Sequence, residues 1–306
     1  MPDEQRPIVD AEWAFNRYEQ LRDRLPVAPG SGSSVAVANL DAVADQFDAF
    51  VFDSFGVLNV GATPIDGAKN RIAALRKAGK QVFVLTNAAS WPLAALPDKY
   101  DALGFDFSAN EIVSSREILA NALATYPSKW TWAIAAPVHS DVAELNVPSV
   151  LIDLSRQDWT EADGIILLSA QTLNDAMLDA ITDALVQRPR PVLVGNPDLV
   201  APREAGCTLE PGHYAHLLND QLGIKPAFFG KPYANAFDEI KTRIGPDFDP
   251  ARIAMIGDTL HTDILGGAAA GLNTVLVTGH GVLKELNVAD CIEVSGIVPD
   301  YIVPSI

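Results

Sequence analysis

The sequence predicts an α/β fold built on parallel sheets, and three observations carry that expectation. Short, wholly apolar, β-rich runs alternate with stretches of helical periodicity, as in "AFVFD" (49–53), "DGAKNRIAALRKAGK" (66–80) and "QVFVLTN" (81–87). Strands that are apolar on both faces must be covered on both faces, which is the habit of parallel sheets. Finally, 306 residues with an apolar share of 48% suffice for two compact domains or one large one, with a sizeable core.

Taken in order, Ala14, Tyr18, Leu21 and Leu25 recur at helical spacing behind Asp10, an apt N-cap, and predict an N-terminal helix packed on the main body. "PVAPGSGSS" after it reads as a linker. The strand 49–53 follows. The helix 66–80 places Ile72, Leu75 and Ala78 on one face and stops at Gly79. A second buried strand occupies 81–87, and "EIVSSREILANAL" (111–123) is helical at its end. Further apolar runs fall at 132–136, 150–152, 165–168, 192–195, 227–229, 253–257 and 274–278. There is no internal repeat and no low-complexity block.

The net charge of −17 and pI near 4.5 exclude a basic stripe able to neutralise nucleic-acid phosphates. Cys207 and Cys291 are the only cysteines, so no disulfide framework exists and a reducing compartment is expected. "MPDEQRPIVD" lacks the apolar centre of a signal peptide. No apolar run approaches the roughly 18 residues of a membrane span. The expectation is a soluble, cytoplasmic protein with neither a nucleic-acid nor a membrane partner.

Ligands of open parallel sheets bind at the carboxyl ends of the strands. Asp53 ends the first strand, Thr86 and Asn87 end the second, and Asp258 ends "IAMIGD", with Asp263 five residues on. Between them, "FFGKPYANAF" sets Lys231 after a glycine and before a helix. Singly, each has a blander reading as a helix cap, a turn residue or a solvated lysine. Jointly they offer carboxylates for a hard cation, an ammonium for an anion, and a hydroxyl and an amide as donors. Phosphoryl transfer needs that set, because its catalysis is largely charge neutralisation and positioning.

The segments "FDSFGVL", "VLTNAAS", "GKPYANAF" and "IGDTLHTDILGGAAAGL" resemble the four motifs of the haloacid dehalogenase-like hydrolase superfamily, over most of residues 48–126 and 193–282. The resemblance implies a Rossmann-like parallel-sheet core with an inserted, smaller α/β cap domain. It implies Asp53 as a nucleophile that becomes an aspartyl-phosphate. Thr86 and Asn87 would hold the phosphate, and Lys231 would neutralise it together with Asp53. Mg²⁺ would sit between the Asp53 carboxylate, the Phe55 backbone carbonyl and Asp258, with Asp263 supporting from behind these ligands or reaching the metal through water. Spacing then gives the subclass. Only 33 positions separate Asp53 from Thr86, too few for a cap, whereas 144 separate Asn87 from Lys231. This is similar to the class IIA, C2-capped branch of p-nitrophenyl, phosphoglycolate and nucleotide phosphatases. "LVGNPDLVAPREAG" resembles that branch's return to the core. The expected division is a helix and linker at 1–40, a core at 41–126 plus 199–306, and a cap at 127–198. A small phosphorylated metabolite is the implied substrate, and a homodimer is possible because caps of this branch commonly take part in dimers.

One position departs from the pattern. Phosphatases of this superfamily carry an aspartate two residues after the nucleophile, as general acid and base, and this chain has Phe55. Loss of such a group costs on the order of 10²–10⁴ in rate. His261 and His213 are candidate substitutes, weighed against unremarkable surface roles. The aromatic residue also resembles the haloacid dehalogenases themselves, which attack carbon, although their cap lies between the first two motifs. A third reading is a binding or regulatory protein on this fold. Within 127–198 the cations are few (Lys129, Arg156, Arg188, Arg190) against many carboxylates, which disfavours a multiply anionic substrate. Trp130, Trp132 and Trp159 are candidates for stacking on a ring or for packing.

Overall fold

A computed structural model of the chain describes residues 8–28, 32–203 and 206–306. The middle of the expected linker, 29–31, and the first seven residues lie outside the described residues. Among them, seven strands form one parallel sheet in the order Val35–Ala36, Tyr301–Val303, Asn273–Val277, Ile253–Gly257, Ala49–Phe52, Gln81–Thr86, Ile112–Ser114. Along the central strand, Phe50 and Phe52 point to one face, where Ile72 and Leu75 of helix Ala68–Lys77 meet them. Val51 points to the other, against Phe237 and Ile240 of helix Ala234–Ile244. This period-two division of a wholly apolar run is why both faces carry helices. Three strands of this sheet escaped the sequence reading: Val35–Ala36, Ile112–Ser114 and Tyr301–Val303. Runs of two or three residues are too short for periodicity to declare.

Register sets the site. Phe52 pairs with Ile256 on one side and with Val84 on the other, so Asp53, Asp258 and Thr86 all leave the sheet at the same edge.

A second parallel sheet runs Ala227–Phe228, Val192–Val194, Gly164–Leu167, Trp132–Ala135, Ser149–Leu151. It corrects the expected cap boundary at 198. Val194 pairs with Phe228, and helix Pro211–Leu222 lies on the cap helix Asp175–Gln187, with Thr182 bonded to Gln221. The inserted unit therefore reaches 228. The Asn196–Asp198 segment passes the core without entering it, because the chain first completes another cap helix and an edge strand. A hairpin, Val200–Arg203 with Gly206–Leu209, opens that excursion and takes Ile8–Val9 as its third strand.

The N-terminal helix, Ala11–Gln20, begins where Asp10 accepts a 2.7 Å bond from the Trp13 backbone N–H. Its buried face carries Ala14, Phe15 and Tyr18. It touches both units. Phe15 and Tyr18 pack on His261 of the core, whereas Trp13 meets His213, and Arg17 pairs with Asp220, both on helix Pro211–Leu222. No helix among the described residues is long and apolar enough to cross a membrane.

Candidate active site

Asp53 follows the central strand, its backbone N–H held by the Ile256 carbonyl at 2.8 Å. The chain then turns at Gly56, whose φ is +80°; a Cβ there would lie 2.6 Å from Asp258 Oδ2. Only glycine meets both demands. Ser54 Oγ donates to Asn59 Oδ1 and the Gly56 N–H to the Asn59 carbonyl, so the turn is fixed from within. After strand Ile253–Gly257, a single wide turn, Leu260–Ile264, carries Asp263 back over Gly257. Asp263 accepts from the Thr259 N–H, and Asp258 from Thr259 Oγ1 and the Val282 N–H.

These turns converge on one lysine. Lys231 Nζ lies 2.5 Å from Asp53 Oδ1 and 2.8 Å from Asp263 Oδ1. Carboxylate oxygens of Asp53, Asp258 and Asp263 fall within 4.8 Å of one another. All four residues are buried. Burial pushes the Asp53 carboxyl up to about 6 against the pull of Lys231, and Asp263 adds to the rise. Asp258 is pushed well above the carboxylate range by burial, then by Asp263 and Asp53. Burial would lower the Lys231 ammonium, but Asp263, Asp53 and Asp198 more than offset it and hold it protonated. Three buried carboxylates facing one ammonium leave a surplus of negative charge, and an all-oxygen donor set of this kind fits a hard divalent cation.

The group opens on a cavity of about 590 Å³ lined by Asp53, Phe55, Thr86, Asn87, Lys231 and Asp258, among others. Every site residue read from the sequence is thus brought to one place, Asn87 among them. Its side-chain amide donates to Asp198 Oδ1 and to the Lys231 carbonyl, and its Oδ1 accepts from the Lys231 N–H. Both amide hydrogens of the Asn87 side chain are engaged in these bonds. The Thr86 hydroxyl, which accepts from the Ala88 N–H, keeps its own hydrogen to give.

The histidine substitutes fail on position. His261 is buried, stacked on Tyr18 at 4.9 Å and bonded to Glu19 at 2.5 Å. His213 is buried between Trp13 and Tyr214. Neither has the expected surface role, and neither lines the cavity. Trp132 and Trp159 are buried in the cap, and Trp130 packs on Tyr126 and Trp132; Trp91 is the tryptophan that reaches the cavity.

Sequence reasoning missed Asp198, Lys99, Arg203 and Tyr18, all of which line the cavity. Lys99 Nζ sits 5.1 Å from the Phe55 ring centre, and the Arg203 guanidinium carbon sits 5.7 Å from it. Both are within cation–π range. Lys99 Nζ is buried and has no hydrogen-bond partner among the described residues. Arg203 lies beyond the segment 127–198 expected as the cap, and Lys99 lies on the core helix Leu96–Ala102, outside the four motifs. The Asn-Pro-Asp stretch at 196–198 was the one available signal for Asp198.

The chain is similar to known proteins. The family described as haloacid dehalogenase-like hydrolase matches residues 50–146, and the related HAD-hydrolase-like family matches 228–306. A glycerol-3-phosphate phosphatase of Gallus gallus is 30% identical over 87% of this chain and 91% of its own. Among solved structures, a possible sugar phosphatase of the HAD superfamily from Cytophaga hutchinsonii has a TM-score of 0.77 at 28% identity, covering 90% of this chain and 98% of its own. A magnesium complex of a glycerol phosphate phosphatase from Mycobacterium tuberculosis gives 0.67 at 24% identity, covering 85% and 75%. Fold and site together define an α/β hydrolase with a capped parallel-sheet core. The chain belongs to the haloacid dehalogenase-like hydrolase family, in its C2-capped branch.

Proposed function

We propose that the chain is a Mg²⁺-dependent phosphatase of small phosphate esters, with Asp53 as nucleophile. The observation that carries this is the bridging of Asp53 and Asp263 by a buried Lys231 beside Asp258. Asp53, Asp258 and the Phe55 carbonyl would hold the cation, while Asp263, engaged by Lys231 and Thr259, supports from behind. When bound, Mg²⁺ supplies charge neutralisation and orientation to the phosphoryl oxygens. Lys231 fixes the Asp53 oxygen for attack on phosphorus and balances the charge that builds there. Thr86 donates its hydroxyl to a phosphoryl oxygen, and Asn87 keeps Lys231 in place. A cavity of about 590 Å³ fits a small phosphorylated metabolite, the kind of molecule that names the relatives. Free, buried Cys207 and Cys291 support a reducing compartment as its setting.

The test is turnover of p-nitrophenyl phosphate with and without Mg²⁺, in wild type and Asp53→Asn. Release that needs the metal and drops to background in the variant is the expected result. Halide released from 2-haloacids without metal would overturn the proposal in favour of attack on carbon, the reading that the aromatic Phe55 keeps alive. Binding of a phosphate mimic without turnover of either substrate would replace it with a regulatory role.

A further inference from the structure

Phe55 has no proton to give, yet an alkoxide leaves phosphorus poorly unless it is protonated, and the water that follows must lose a proton. We infer that Asp198, from the cap side of the cavity, supplies this proton transfer in place of the missing acid at Phe55. The inference rests on the phosphatase reading above.

Four observations carry it. Asp198 lines the same cavity as Asp53 and Lys231. Asn87 Nδ2 donates to its Oδ1 at 2.8 Å, and the same amide grips the Lys231 backbone, so one brace places the carboxyl relative to the nucleophile's own lysine. Its Oδ2 receives no hydrogen bond among the described residues, which leaves that oxygen to carry the proton. The other acids around the cavity are committed elsewhere. Glu210 accepts from Asn196 and Thr208 and faces Arg203 at 3.6 Å, while Asp258 and Asp263 belong to the cation site.

The surroundings favour the neutral acid. Burial pushes the Asp198 carboxyl up to about 8 against the pull of Lys231 and Asn87, and Asp53 and Asp263 push it further. From the N-terminal helix, Tyr18 covers the segment, its hydroxyl accepting from the Leu199 N–H. The charged and titratable groups around Asp198 are therefore Lys231, Asp53, Asp263 and Tyr18.

The chemistry balances. As an Asp53 oxygen bonds to phosphorus, the bond from phosphorus to the ester oxygen breaks, and that oxygen takes the Asp198 proton to leave as the alcohol. The Asp198 carboxylate then takes a proton from the water whose oxygen attacks phosphorus. The bond to Asp53 breaks, inorganic phosphate leaves, and both carboxyls return to their starting states.

Full-length wild type, Asp53→Asn, Asp198→Asn and Phe55→Asp/Asp198→Asn, each with Mg²⁺, test it on glycerol 3-phosphate and p-nitrophenyl phosphate. Asp198→Asn should slow alkyl-ester turnover by about 10²–10⁴-fold. It should still give a burst of one equivalent of p-nitrophenolate, a leaving group that needs no proton, followed by slow turnover. The fall of wild-type kcat/KM for the alkyl ester above about pH 8 should vanish in Asp198→Asn. Phe55→Asp should restore much of the lost rate in that background, which a merely structural role for Asp198 would not allow. Unchanged alkyl turnover and pH profile in Asp198→Asn, with Asp53-dependent activity intact, overturns the inference alone. Loss of the burst without rescue also overturns it. Absence of Asp53-dependent turnover in wild type removes the phosphatase reading as well, and the two failures are thereby told apart.

Discussion

At the scale of single residues, the site trades stability for charge. Lys99 is the plainest case, a buried ammonium lying over two aromatic rings, Phe55 and Tyr100, with no hydrogen-bond acceptor among the described residues. Burial lowers it to about 8, partly opposed by Asp53, while Arg203 adds to the fall. An unsatisfied buried donor costs about 1–3 kcal/mol, so Lys99→Met is expected to stabilise the fold by that order, read as a higher urea midpoint at pH 7. The sign with pH follows from its lowered value. The penalty is fully present below about 8 and is relieved as pH rises towards the ordinary 10.5, so the gain from Lys99→Met should shrink by pH 10. An unchanged midpoint at pH 7 would mean that water reaches the ammonium. The same variant should bind anionic esters more weakly, the usual exchange of stability for function.

At the scale of elements, turns rather than strands hold the chemistry. The strands deliver Asp53 and Asp258 to one edge, but Gly56 decides how close they come. An alanine there must adopt a φ of +80° and push a Cβ against the Asp258 carboxylate. Gly56→Ala is expected to cost about 1–3 kcal/mol of stability. The more specific sign is metal affinity. Mg²⁺ should raise the thermal midpoint of wild type, by mass action, and should raise that of Gly56→Ala much less. An equal Mg²⁺ shift in both would mean that the turn tolerates the substitution without moving Asp258.

At the scale of the whole molecule, the N-terminal helix binds cap to core. Glu19 holds His261 on the core side; Arg17, with Arg24 in the turn just beyond the helix, holds Asp220 of helix Pro211–Leu222. On the other flank, the buried Arg116 of the core reaches Glu144 of the cap at 2.7 Å. Two histidines sit under this clasp. Burial lowers both His213 and His216 to about 4, helped by Arg17 and Arg24, with Asp220 opposing. Their lowered values mean that the stability from folding them neutral is present above about 6.5 and is lost as pH falls through about 4. The thermal midpoint should therefore drop between pH 6.5 and 4, and His213→Phe/His216→Phe should flatten that drop. A slope left unchanged in the double variant would assign acid sensitivity to other groups.

Much of this was legible in the chain itself. Wholly apolar runs, helical stripes between them and polar residues at the strand ends fix a parallel sheet, and the ligands of such a sheet collect at one edge. Asp53, Thr86, Lys231, Asp258 and Asp263 were readable because each lies at a strand end or in the turn that follows one, in a recurring local pattern. The boundary expected at 198 rested on the Asn-Pro-Asp stretch; the apolar run at 227–229 was visible, but only the pairing of Val194 with Phe228 shows which sheet it joins. Asp198, Lys99, Arg203 and Tyr18 were hidden for a different reason. Their meaning comes from burial and from neighbours far away in the chain, such as Asn87 at a separation of 111 residues from Asp198, and no local periodicity records either. The sequence by itself determined which groups can handle a phosphate; only the tertiary structure decided which of them meet around Lys231, because residues far apart in the chain come together there only when the sheet folds.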